Sequence, residues 1–340
     1  MLPKLGFIAN KNCIRVIKQA SVLKQSGYDV FSFTSNPESL SNFKSLSYYD
    51  SAKELESTIK TFDKMVDIWT VHNEPSWELT ILKEITKKPI VYDMHDSMGW
   101  RIKNENLEGY IREDVRWYPE EIALAFSDAV IVVSESCKNE LKTRYKGKIV
   151  VLPSALPLSE YMYADSRLIG GLVYQGGLAI ERGKKETNYR DFSEIFKKVV
   201  EKRNTFVYSA SFKNEEILNY YTEMGVKTGE FKYCDLIQRL GCHSWNLVGN
   251  TNNSTVWGYA LPNKFFDALG AGIPSVSFNC PEVEKLIKEH DIGIICKTPE
   301  ELLERWDEHI EKRINLMKYR REYCLENYIH NLTDLYEELL

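Results

Sequence analysis

The sequence predicts an α/β protein made of two doubly wound halves, each a parallel sheet covered by helices. Short apolar runs alternate with helix-length amphipathic segments from the first residues to about residue 280. The stretches between them are short and hold the polar, glycine and proline residues that end strands and start helices. At 340 residues the chain favours two domains, and a connection rich in Pro, Tyr and Ser between Pro153 and about Arg167 divides it. The expected domains are 1–160 and 161–340.

In the first half, Leu5–Ala9 reads as a strand and Cys13–Gln25 as a helix stopped by Gly27. Tyr28–Thr34 is the second strand. The Ser, Asn and Tyr rich stretch 35–50 reads as loop. A helix at Ala52–Phe62 leads to a strand at Met65–Val71, which ends in His72-Asn-Glu74-Pro. A helix at Trp77–Thr86 leads to the strand Pro89–Tyr92, which ends in Asp93-Met-His95-Asp96. Polar residues just past strand ends are where open α/β sheets put their sites. His72 and His95 both stand there, and Asn10, Glu74 and Asp96 join them as candidates for a cleft at the strand ends. Ser97–Arg116 mixes balanced charges with aromatics and reads as a solvated segment. Pro119–Phe126 is a helix, Asp128–Val133 a β-branched strand, and Lys148–Leu152 the last strand of this half.

The second half opens with a strand at Leu168–Tyr174, followed by Gln175-Gly176-Gly177 and then Arg182-Gly-Lys. Glycines at a strand end let backbone amides approach a phosphate, and Arg182 could neutralise it. Helices at Tyr189–Lys202, Glu215–Glu223 and Cys234–Leu240 alternate with strands at Thr205–Ala210, Val226–Phe231 and Ser244–Val248. Phe231 or Tyr233, beside that third helix, could stack on a nucleotide base. Trp257 to Ser277 then reads as loop, helix, glycine stop and buried strand. Pro262 suits a first helical turn, and Gly270 and Gly272 end the helix. Asn263, Lys264 and Asp267 share one face, with the free N–H groups of the helix start beside them. Amides and lysine can meet phosphate oxygens, and the carboxylate can accept from ribose hydroxyls. Closing helices are expected near Pro299–Tyr328 and Asn331–Leu340.

The run Leu261-Pro-Asn-Lys-Phe-Phe-Asp-Ala-Leu-Gly-Ala-Gly-Ile-Pro-Ser-Val resembles the donor segment of GT-B nucleotide-sugar glycosyltransferases, especially the retaining family 4, or group 1, type. Ser127-Asp-Ala-Val-Ile-Val-Val-Ser-Glu-Ser is similar to the same group. The resemblance implies two facing Rossmann-like domains, with the last helix crossing back to the first. It implies an N-terminal acceptor domain and a C-terminal domain that holds a nucleotide-diphosphate sugar as co-substrate, with no cofactor. It assigns Gly176, Gly177, Arg182, Tyr259, Leu261, Pro262, Asn263, Lys264 and Asp267 to the donor, and His95 to the transferred sugar. Two positions depart from the family. Tyr259 stands where a glutamate is common, and Gly177 where an arginine is.

Composition narrows the rest. Hydrophobic content of 43% and charged content of 27% mark an ordinary globular protein. A net charge of −5 argues against non-specific nucleic-acid binding, so DNA as acceptor is open but not indicated. Seven scattered cysteines without a CxxC pair fit reduced thiols rather than a disulfide framework or zinc site. With no apolar run of membrane length and no signal-peptide pattern, the expectation is a cytoplasmic protein. No G-x-G-x-x-G occurs, which removes the dinucleotide fingerprint. Asp-x-Asp is missing too, so the expected transfer is metal-independent, with cations and helix amides taking the diphosphate charge. A nucleotide-sugar epimerase and a catalytically lapsed nucleotide-sugar-binding protein are the alternative readings. Retention is expected at the sugar; Glu74 or Asp96 acting as general base would give inversion instead.

Overall fold

Two separate all-parallel sheets carry the chain. The computed structural model describes residues 2–10, 13–35, 43–72, 78–95, 113–162, 169–180, 189–210, 212, 214–252 and 255–340. Two compact units divide it: Met1–Pro157 with Leu325–Leu340, and Leu158–Cys324.

The first unit holds β1 (Lys4–Ala9), β2 (Asp29–Thr34), β3 (Ser45–Tyr48), β4 (Ile68–His72), β5 (Ile90–Asp93), β6 (Ala129–Val132) and β7 (Lys148–Val151). They lie in the order β3-β2-β1-β4-β5-β6-β7. Strands β4, β5 and β6 are buried from end to end, as a parallel sheet covered on both faces requires. Between them run α1 (Ile14–Gln25), α2 (Ala52–Phe62), α3 (Glu78–Ile85), α4 (Glu113–Phe126) and α5 (Glu135–Leu141). Side-chain caps fix two of the starts. Ser51 accepts from the Glu54 amide, and Ser134 from the Cys137 amide.

The second unit holds β8 (Leu172–Gln175), β9 (Thr205–Ser209), β10 (Lys227–Glu230), β11 (Trp245–Gly249), β12 (Ser275–Phe278) and β13 (Gly293–Ile295). Their order is β10-β9-β8-β11-β12-β13. Its helices are α6 (Ser193–Val200), α7 (Glu215–Glu223), α8 (Tyr233–Leu240), α9 (Asn263–Ala271), α10 (Pro281–His290), α11 (Pro299–Glu304) and α12 (His309–Tyr319). The last helix, α13 (His330–Glu338), belongs to the first unit. There the Tyr336 hydroxyl lies 2.9 Å from Thr70 Oγ1, and Asn331 donates to the Val151 carbonyl at 3.0 Å.

Several sequence expectations change. Strand β3 falls inside the stretch read as loop: Ser-Leu-Ser-Tyr is short and half-exposed at the sheet edge, so it carries almost no apolar signal. Helix α10 and the three-residue β13 were not foreseen. Gly270 lies within α9 rather than ending it; the stop is Gly272, left-handed at φ 73°. The long helix expected near Pro299–Tyr328 is broken into α11, α12 and three 3₁₀ turns.

In each sheet the strand order reverses once, between β1 and β4 and between β8 and β11, and ligands of open α/β sheets bind at the carboxyl ends beside such a reversal. Gly249 ends β11 there with φ 80°, and a Cβ on it would lie 1.8 Å from the Phe278 carbonyl oxygen. Strain and collision act together at this residue. Gly249→Ala is expected to cost roughly 3 kcal/mol or more, read as a lower urea midpoint; an unchanged midpoint would contradict the close approach.

Candidate functional site

In the first sheet, Ala9, His72 and Asp93 stand side by side at the ends of β1, β4 and β5. Asn10 follows one residue past β1, half-buried, its carbonyl accepting from the Ser35 hydroxyl. Helix α1 starts just beyond and brings Arg15 and Gln19, one turn apart, onto its buried face. Asp93 is fully buried and is the centre of the group. Arg15 grips it with two nitrogens at 2.9–3.2 Å, and Gln19 Nε2 donates to it at 2.7 Å. The remaining Arg15 nitrogen donates to the Leu152 carbonyl and to Ser154 Oγ, so the same guanidinium ties in the end of β7.

The two histidines divide the charge. His72 Nδ1 lies 3.1 Å from Asp93 Oδ2; since a carboxylate only accepts, Nδ1 carries the hydrogen and the buried Nε2 is left as an acceptor without a hydrogen-bond partner among the described residues. Burial pushes the His72 pKa down, so its ring is neutral. His95, partly exposed at 18%, has Nε2 3.5 Å from Asp93 Oδ2 and Nδ1 3.7 Å from Cys13 Sγ. Burial works most strongly against its charge, but the Asp93 carboxylate and Cys13 together outweigh it and push His95 up to about 9. Burial would likewise raise Asp93, yet Arg15 and His95 hold its carboxyl well below the usual range.

His72, Asp93 and His95 offer ligand atoms within 4.8 Å of one another, a spacing a cation could use. The donor set fits a metal poorly. Asp93 already carries Arg15 and Gln19, and a second cation would sit against the guanidinium charge. The group is a hydrogen-bonded charge network.

In the second sheet, β8 delivers Gln175, Gly176 and Gly177 to its carboxyl end, with Gly176 at φ 129°. Helix α9 follows Pro262, whose φ of −76° suits the N-cap position it occupies. Lys264 is half-buried: its ammonium lies 3.1 Å from the Tyr174 hydroxyl, 4.5 Å from the centre of that ring and 5.1 Å from the ring of Trp257. Among the described residues it makes no ion pair. Burial, helped by the nearby charge of Arg190, pushes its pKa down to about 7. Gly177 adjoins Arg190 as well, since a Cβ there would lie 3.3 Å from its guanidinium nitrogen. Arg190 therefore supplies a cation beside the position where Gly177 lacks one.

Asn263 is exposed, but Asp267 does not share its solvated face. It is 3% exposed, and its oxygens accept from Gln175 Nε2 at 3.0 Å and the Tyr233 hydroxyl at 2.5 Å. Burial and the Asp267 charge keep Tyr233 protonated as that donor. Tyr259 and Leu261, in the segment just before α9, are buried. Phe231 packs edge-on against Tyr208, its ring centre 5.1 Å away. Arg182, Glu74, Asp96 and the segment 97–112 lie outside the described residues.

Sequence reasoning missed Asp93, Arg15, Gln19, Cys13 and Arg190. Arg15 and Gln19 left a trace, as polar residues four apart on the apolar face of a helix; Arg190 left none, being brought back to Gly177 only by folding.

Two parallel Rossmann-like sheets in one chain, each with its polar cluster at a strand reversal, define the GT-B fold. Sucrose-phosphate synthase from Thermosynechococcus elongatus superimposes with a TM-score of 0.70 at 13% identity, covering 99% of each chain. AviGT4, a glycosyltransferase involved in avilamycin A biosynthesis, gives 0.57 at 12% identity over 99% of this chain and 98% of its own. The pneumococcal O-GlcNAc transferase GtfA gives 0.56 at 16% identity over 84% of this chain and 60% of its own. A search of curated protein sequences finds no match. Residues 16–160 match the model of Glycosyltransferase Family 4. Those residues carry the match to a glycosyltransferase family 4 domain, and the chain as a whole has the GT-B fold. No helix among the described residues is long and apolar enough to cross a membrane.

Removing the Asp93 charge leaves Arg15 buried without its partner. Asp93→Asn is expected to destabilise the protein by roughly 3–5 kcal/mol, measured by urea unfolding. By imidazole NMR, His95 in the unaltered protein should titrate near 9 and His72 below the ordinary histidine value. A His95 midpoint near 6.5 would contradict the pairing.

Proposed function

We propose that the chain transfers a sugar, with retention and without a metal, from a nucleoside-diphosphate sugar to a glycan, lipid carrier, small molecule or nucleic-acid base. The second unit binds the donor and the first presents the acceptor. The observation that carries this reading is the cation cluster of Lys264 and Arg190 beside Gly177 and the start of α9. Two cations, two glycines and free helix amides converge there, which is what a diphosphate needs. Arg182 is the third proposed cation. Asp267 is proposed to meet the ribose, sharing its carboxylate with Tyr233 and Gln175. The pneumococcal enzyme's structure contains UDP and GlcNAc, which makes UDP the first probe to use here.

A lysine near 7 adds a signature. At pH 8 the free ammonium is largely deprotonated, and a bound diphosphate draws the proton back. UDP or GDP binding should therefore take up a proton at pH 8 and almost none at pH 6, seen by calorimetry in buffers of different ionisation enthalpy. Lys264→Met should abolish the uptake and weaken binding roughly 10- to 150-fold, the equivalent of a charge-assisted hydrogen bond of about 1.5–3 kcal/mol. Equal binding of UDP and 2′-deoxy-UDP would remove the ribose role of Asp267.

His95 bears on stereochemistry. A ring protonated at neutral pH, with Nδ1 turned to Cys13, is a poor general base and a good support for negative charge. Retention without a protein base follows, the leaving diphosphate taking the acceptor proton. NMR of the product anomer should show the donor configuration, and turnover should survive EDTA; an inverted product, or activity restored only by Mg²⁺ or Mn²⁺, would refute these two points separately.

A further inference from the structure

Cys13 is placed unlike the other described cysteines. Cys137, Cys242, Cys280, Cys296 and Cys324 are buried, whereas Cys13 is partly exposed. It is the N-cap residue of the twelve-residue α1, where its side chain makes no capping hydrogen bond. Sγ lies 3.7 Å from His95 Nδ1, and the far nitrogen of the same ring is 3.5 Å from Asp93 Oδ2. Arg15 and Gln19 fix Asp93 in turn. Sulfur, imidazole and carboxylate thus follow one another in the order by which a base and its orienting acid activate a nucleophilic thiol, the carboxylate at ion-pair distance from the ring rather than hydrogen-bonded to it.

We propose that Cys13 is a modification site: a thiolate paired with the His95 imidazolium that takes small uncharged electrophiles, hydrogen peroxide among them. This rests on the Cys13–His95–Asp93 geometry alone and needs neither donor nor acceptor. Three effects support the ionised form. Burial opposes it, but the bond to His95, the His95 charge and the amides of Val16 and Arg15 lower the thiol pKa in sum. By contrast, burial pushes Cys280 and Cys296 up to about 12. With peroxide, the Cys13 sulfur attacks one oxygen, forming an S–O bond as the O–O bond breaks. Sulfur is oxidised to the sulfenic acid, and the departing hydroxide takes the proton from His95 Nδ1 and leaves as water.

The test is the rate of iodoacetamide labelling against pH, read by peptide mass spectrometry on the folded full-length protein. A thiolate fraction raised from a few per cent at neutral pH is partly offset by the weaker nucleophilicity of a more acidic thiol, so the net gain is about tenfold. Cys13 should label at least about tenfold faster than the five buried cysteines at pH 6.5, with a midpoint below the ordinary thiol range near 8.5. His95→Gln should return the midpoint to that range and slow labelling at pH 6.5 about tenfold. A dimedone adduct confined to Cys13 after dilute peroxide would support the oxidation step. A wild-type midpoint at or above the ordinary range overturns the proposal without any variant, and so does a His95→Gln profile identical to wild type.

Discussion

The buried carboxylate of Asp93 is the constraint on which the first unit depends. A charge with no exposure survives only if its partners are close, and Asp93 has Arg15 across two nitrogens, Gln19 and His72. Those partners come from α1 and β4, while Arg15 also reaches the ends of β7 and its following turn. Four parts of the chain distant in sequence are thus held to one another at the strand ends. Apolar burial would hold the sheet together without this network, but would not fix which imidazole is charged. Burial keeps His72 neutral against the pull of Asp93, while the network keeps His95 protonated, although both lie within reach of one carboxylate.

The second unit solves the reverse problem. Lys264 is an ammonium sheltered by Tyr174 and Trp257 with no carboxylate paired to it among the described residues, and Arg190 adds charge of the same sign. An isolated cation in such surroundings is costly, which is why its pKa falls. Asp267, which could have neutralised it, is engaged with Gln175 and Tyr233 instead. Under the proposed function, these uncompensated cations are what the diphosphate of a donor would meet.

Much of this was legible in the sequence because periodicity reports burial. The alternation of Val-Tyr-type strands with amphipathic helices yields both sheets, and α2 and α7 fall at the residues the pattern indicates. His72 and His95 were visible because a strand end followed by histidine is a local signal. Edge elements were not: β3 is half-exposed, and β13, though mostly buried, is only three residues long. Nor were the partners. That Asp93 is the hub depends on contacts across 78 residues, and that Arg190 stands beside Gly177 is a proximity no local pattern encodes. The buried state of Asp267 was misjudged for a similar reason: helical spacing tells which side chains share a face, not what another helix lays over it.

The path of the chain has its own consequence. Residues 325–340 belong to the first unit, so the second, 158–324, is contiguous while the first is assembled from two pieces. During synthesis the second unit can complete its contacts as soon as it has emerged. The first must wait for Tyr336 to reach Thr70 and Asn331 to reach Val151. Until then β4 and β7 lack the helix that covers them, and the half carrying the charge network is the later to close.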